Sequence, residues 1–343
     1  MKRGLALIGI VLLGLVATTT AGAKSDDVTI TGAGSSLVAP LVSLWVKPVG
    51  HAFGYTLQYS SVGSGAGIQA ITARSVDFGA SDAPLTPDQA SACKNCLQIP
   101  WALSATTLSY NIPGVPNDLH LTGAVIAGIY LGTITNWSSS QIQSLNPKLT
   151  LPNLKITPVF RSDGSGDTYA FTDYLSRINA TWKSKVGNAT AVQFPTGVGG
   201  KGNAGVAGVI ASTKGAIGYI SAAYSLVNHL KVAAVKNNSG VYATPGLRGI
   251  EAAAQTVKSV PGNNEMHIVN PPKGAKLAYP ISTFTYVFIP QNAPHGAELR
   301  KFVFWALTQG QSTQYTSKLI FAKIPKVVLV AAEKTLKQIS TNS

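Results

Sequence analysis

The sequence predicts an α/β protein of two lobes, each built on a central mixed sheet, and three observations support this. Short β-type runs alternate with helical ones along the chain, the pattern of largely parallel sheets whose strands are joined through helices. At 343 residues the chain is long for one core and divides by default. Its α/β character appears at both ends and in the middle, which fits a chain that starts in one lobe, builds the second and returns.

The elements follow in order from apolar period and turn residues. Residues 27–30 read as a strand, 36–46 as a helix, 56–60 as a strand, 67–73 as a helix and 76–80 as a strand. Further on come a strand at 106–111, a helix at 124–131, a strand at 157–161 and a helix at 168–178. A strand at 283–289 precedes an amphipathic helix at 297–309, whose apolar content includes Phe302, Phe304, Trp305 and Leu307. In open sheets of this type, ligands bind where strands end and helices begin.

The first 23 residues read as a secretory signal: Lys2 and Arg3, an apolar stretch at 5–16, then the small residues Ala21-Gly22-Ala23. About 12 apolar residues fall short of the roughly 20 that a membrane span needs. No cysteine follows the stretch, so a lipoprotein-type anchor is not indicated. Cleavage near Ala23 lowers the net charge from +14 to about +12. The positive charges are scattered singly, without a basic run interleaved with aromatics, which argues against nucleic acid and leaves a weak general attraction for anions.

Carboxylates are scarce, 13 in all, yet four aspartates fall within two short motifs. The scarcity also leaves few groups whose protonation destabilises the fold in acid, as expected for an acidic extracytoplasmic habitat. Cys93 and Cys96 are the only cysteines, and in an exported chain they are expected to form a local disulfide that stabilises little because its loop is tiny. The five histidines are dispersed, so a zinc site is not expected.

One chemical pattern occurs three times. Thr31-Gly32-Ala33-Gly34-Ser35-Ser36, Gly63-Ser64-Gly65-Ala66-Gly67 and Arg161-Ser162-Asp163-Gly164-Ser165-Gly166-Asp167-Thr168 each follow a strand and open a helix. A helix start presents unpaired N–H groups and the positive end of its dipole. Glycines let an anion approach those groups, and hydroxyls add rotatable donors. Any one such turn is also ordinary helix punctuation. Arg161 adds a planar fork suited to an oxyanion, with Asp163 placed to orient it; the plainer reading is a surface ion pair.

Asp82 ends the run Val76-Asp77-Phe78-Gly79-Ala80-Ser81-Asp82-Ala83-Pro84. A carboxylate beside an anion site makes sense only if the ligand carries a proton for it to accept; a fully ionised sulfate meets repulsion instead. As a plain turn residue it would cap the chain ahead of Pro84. Asp77 reads as a cap at the strand entry.

Together these motifs resemble the phosphate-binding component of bacterial high-affinity phosphate ABC transporters, of the periplasmic binding protein family. The resemblance runs over nearly the whole chain after the signal. Thr31 to Gly34, the unbroken Val76 to Leu85, Arg161 to Gly166, Ile129-Tyr130-Leu131-Gly132 with Ile134 and Trp137, Gly199 to Asn203, and Gly215 to Tyr219 carry it. It implies a two-lobe fold with a hinge: 24–102 as the first part of lobe 1, 103–281 as lobe 2 and 282–343 as the return to lobe 1. It further implies a monomer outside the cytoplasm, without cofactor or nucleic acid, that binds inorganic phosphate and delivers it to membrane permease subunits.

Ligand contacts are implied at Ser36, Leu37 (through its N–H), Ser64, Asp82, Arg161, Ser165, Gly166 and Asp167. Ser36 and Leu37 stand where the family has threonine and phenylalanine. Asp167 replaces a threonine, and its carboxylate either faces away or adds a second acceptor for protonated phosphate. The alternatives are another tetrahedral oxyanion, or a phosphatase-like enzyme. The sequence lacks a complete P-loop or nucleophile elbow, and no histidine falls in the three turns.

Overall fold

The structure, a computed structural model, describes residues 28–341. The signal segment and the first residue of the strand expected at 27–30 lie outside them. Twelve strands are present among the described residues: β1 (Thr29–Gly34), β2 (Thr56–Ser61), β3 (Phe78–Ser81), β4 (Cys96–Tyr110), β5 (His120–Leu121), β6 (Thr157–Arg161), β7 (Val198–Gly200), β8 (Ala216–Ser221), β9 (Lys231–Val232), β10 (Ala234–Lys236), β11 (Tyr242–Ala243) and β12 (Ser282–Pro290).

Nine of them form one hydrogen-bonded sheet in the order β2-β1-β3-β12-β4-β8-β6-β7, with β9 also on β4. The strands β5, β10 and β11 make a small separate sheet. β1 runs parallel to β2 and β3, and β6 runs parallel to β7 and β8. β12 is antiparallel to both neighbours, and β4 is antiparallel to β8. The sheet is therefore mixed, and less parallel than the alternation of elements suggests.

β4 joins the two halves. Its residues 96–105 pair with β12, and 106–110 turn to β8 and β9. The strand expected at 106–111 begins ten residues earlier than its sequence signal, because Pro100 lacks a ladder donor and burial on both faces erases any period of two. The register against β12 shifts between Thr285 and Tyr286, opposite Ala102 and Pro100, so a bulge accommodates the proline.

Each half has its own aromatic core. Trp45, Phe78, Trp101, Phe302 and Trp305 meet mostly edge to face under β1, β3 and β12. Tyr130, Phe171, Trp182 and Tyr219 form the second beside β6 and β8, with Phe171 edge to face with Tyr130 and Trp182 and stacked on Tyr219. Such pairs add about 0.5–1.5 kcal/mol beyond their burial, enough to stiffen the strand ends above them.

Three helix starts differ from expectation by two residues or more. The first helix is Ala39–Phe53 rather than one from Ser36, because Pro40 suits only the first turn. The second, Ser64–Thr72, starts three residues early, directly after Gly63, whose φ of 92° stops the chain from continuing as strand. The third is Gly166–Ile178, capped by Ser165, whose hydroxyl accepts from the Thr168 N–H. The Cys93–Cys96 disulfide joins the end of the helix Pro87–Cys93 to the start of β4. Arg74 secures that corner by donating to the carbonyls of Ile71, Cys93 and Lys94.

Candidate functional site

All eight residues expected at the site are buried, although they come from segments 36–37, 64, 82 and 161–167. Four helix starts meet where β1, β3, β6 and β7 end: Ala39, Ser64, Gly166 and Gly202. Each brings N–H groups that have no partner within their own helix, and a partial positive charge.

β3 delivers Asp82, whose side chain is enclosed by hydroxyls. Ser35 Oγ lies 2.7 Å from both carboxylate oxygens, and Thr285 Oγ1, on β12, donates at 2.8 Å. Ser64 Oγ accepts from the Asp82 N–H at 3.3 Å and from the Gly166 N–H at 3.0 Å. A Cβ on Gly166 would fall 2.4 Å from the Asp82 Cβ, so only glycine permits this approach. The turn-cap reading of Asp82 does not hold, because the carboxylate is buried and turned inward. Asp77 instead accepts from the Thr31 N–H and hydroxyl at 2.7 Å each, tying β1 to the start of β3.

β6 delivers Arg161, which is 5% exposed, so it forms no surface pair. Its Nε and one terminal nitrogen grip both oxygens of Asp163, and Nη1 reaches Asp167 Oδ2 at 3.3 Å. The backbone N–H of Arg161 donates to the Tyr219 hydroxyl, which also bonds Thr168 Oγ1, so the aromatic core positions the guanidinium.

Asp167 faces inward. It accepts from Thr106 Oγ1 at 2.7 Å and from Asn203 Nδ2 at 2.7 Å, besides Arg161. Asn203 also donates from Nδ2 to Ser36 Oγ at 2.9 Å, linking the two halves. Leu37 gives its N–H to Ser35 Oγ, and Ser165 gives its own to the Thr190 carbonyl.

The charges pull against one another. Burial, and next the charge of Asp167, push the Asp82 carboxyl up to about 7, against the bonds from Ser35 and Thr285. Burial likewise raises Asp167, although Arg161, Thr106 and Asn203 favour its ionised form. Asp163 is also raised by burial, but the bonds and charge of Arg161 outweigh that and hold it below the usual range. Arg161 stays charged: its carboxylate partners outweigh its burial.

Sequence reasoning missed Ser35, Thr106, Asn203, Tyr219 and Thr285 as members of the site. Ser35 lay within the first glycine-serine turn, and Asn203 within Gly200-Lys201-Gly202-Asn203, a fourth glycine turn at a helix start; the other three carried no local signal. A groove of about 770 Å³, lined by Gly65, Gln69, Asp163, Gly164 and Thr190 among others, runs between the halves beside the cluster.

Helix starts that face one another across a shared strand, around a buried cluster of donors, define a two-lobe binding protein, and residues 18–309 match the PBP superfamily domain. Within that superfamily, the chain belongs to the family of phosphate-binding proteins named PstS. It is 37% identical over 313 residues to the phosphate-binding protein PstS of Xylella fastidiosa, covering 90% of this chain and 85% of that protein. It is 35% identical over 304 residues to the PstS of Haemophilus influenzae, covering 88% and 90%. The crystal structure of a phosphate binding protein from Stenotrophomonas maltophilia superposes with a TM-score of 0.70 at 21% identity, covering 90% and 93%.

Proposed function

We propose that this chain binds inorganic phosphate between its lobes, outside the cytoplasm, and delivers it to the permease of an ABC transporter. It acts as a binding protein and not as an enzyme, and it works as a monomer. Lobe 1 comprises 24–102 with the return 282–343, and lobe 2 comprises 103–281; the change of partner along β4 near Ala105 supports this division.

The observation that carries the reading is the convergence of Asp82 and Arg161 on one buried cluster of hydroxyls and helix-start amides, in which Arg161 bonds Asp163 and Asp167 and Asp82 is held by Ser35 and Thr285. An anion is drawn by the amides and the guanidinium, and its proton is accepted by Asp82. Phosphate keeps a proton at neutral pH, whereas sulfate does not and leaves Asp82 facing a bare negative oxygen. Ser36, Leu37, Ser64, Ser165, Gly166 and Asp167 complete the proposed contacts.

Calorimetric titration with phosphate and sulfate tests the reading. Tight phosphate binding with no sulfate signal is the expected result. Equal binding of sulfate, or release of phosphate from a monoester, would replace it with another oxyanion carrier or with a phosphatase.

A further inference from the structure

The cluster holds more negative than positive charge, and the excess constrains the ligand. Asp82, Asp163 and Asp167 converge on one cation, Arg161. Tyr219 and Tyr224 also face this group, and Tyr59 faces Asp82; all three stay neutral, their hydroxyls raised by burial. The uncharged Thr106 and Asn203 approach Asp167 from β4 and from the helix Gly202–Ser212. With Asp163 matched to Arg161, the other two carboxylates have no full countercharge.

Asp167 also has room to accept. A carboxylate offers about four acceptor directions. Oδ2 takes Asn203 and Arg161, while Oδ1 takes Thr106 alone. One direction on Oδ1 stays open. On Asp82, Oδ1 takes Thr285, the Ser35 hydroxyl is shared between both oxygens, and Oδ2 has besides only the Ser64 hydroxyl at 3.5 Å, a long contact that a closer donor can replace. Asp167 follows Gly166 in the chain, and Gly166 is packed against Asp82, so both acceptors flank one point.

Resting on the phosphate reading above, we infer that Asp167 is a second proton-reading residue, and that the site selects dihydrogen phosphate over the monohydrogen dianion. A dianion with one proton satisfies Asp82 and repels Asp167. The monoanion donates one hydrogen bond to each and brings one negative charge fewer. Above the second ionisation of phosphate, the free ligand holds one proton, so each binding event takes up one more from solvent.

The test is phosphate calorimetry between pH 8 and 9, above the range in which Asp82 titrates, in buffers of different ionisation enthalpy. Wild type, Asp167→Thr and Asp167→Asn are compared. Wild type is expected to take up about one proton per phosphate and to weaken about tenfold per pH unit. Both variants are expected to take up none and to hold their affinity across the range. Zero uptake in wild type, or an equal slope in all three proteins, overturns the inference while phosphate binding itself stands. No phosphate binding by wild type at any pH overturns both.

Discussion

The N–H of Gly166 donates to the hydroxyl of Ser64 at 3.0 Å, across 102 residues of sequence. It brings the helix start of one lobe against that of the other and sets Gly166 in contact with Asp82. Gly166→Ala places a methyl group 2.4 Å from the Asp82 Cβ, and the lobes must separate to admit it. Overpacking of this kind costs about 1–3 kcal/mol, so phosphate affinity should fall about ten- to a hundredfold. Calorimetry checks this, and an unfolding curve close to wild type will show that each lobe remains intact.

Arg161→Ala removes the cation shared by the buried Asp167 and the partly buried Asp163. Truncating one partner of a buried charged pair costs about 2–5 kcal/mol, much of it from the charge left behind. Phosphate binding should weaken by that amount, and the unliganded protein should lose stability as Asp163 and Asp167 are stranded. Tight binding by the variant would move the anion site elsewhere.

Asp82→Asn should weaken phosphate binding and admit sulfate, because an amide can donate to an unprotonated oxygen. Competition between the two anions measures the change, and unchanged selectivity would remove the role given to Asp82.

Asp82 also sets a pH dependence. Its folded carboxyl, near 7, holds a proton more tightly than the ordinary 3.8 of an unfolded chain. The stability it contributes is complete below 3.8 and is lost as pH rises through about 7. Asp167 acts in the same direction, whereas Asp163, held low, loses its contribution only in stronger acid. Denaturant unfolding of the unliganded protein should therefore show falling stability from pH 4 to 7, and Asp82→Asn should flatten that slope.

The parts of the site that the sequence displayed were those made of local chemistry. Glycine-serine turns after strands revealed Ser36, Ser64, Ser165 and Gly166, because helix starts and close approaches restrict residue choice within a few positions. Asp82 and Arg161 were legible as charges at strand ends. Thr285 and Thr106 were not, since threonine in a strand is ordinary and only the pairing of β12 and β4 brings them inward. Pro100 hid the first half of β4 for the same reason: its bulge exists only against a partner strand. The orientation of Asp167 depended on Asn203 and Arg161, contacts that no spacing reveals.

Reducing the Cys93–Cys96 bond should change little. The loop it closes spans three residues of separation and lies at the start of β4, outside the site cluster. Thermal unfolding with and without reductant should differ slightly, and phosphate affinity should be equal in both.

A crystal structure grown with phosphate examines the convergence of the two lobes most directly. It should hold one dehydrated anion within hydrogen-bond reach of Asp82, Arg161, Ser64 and the Gly166 N–H at once. An anion bound on one lobe alone, or on the outer surface with these four groups still bonded only among themselves, would contradict the account.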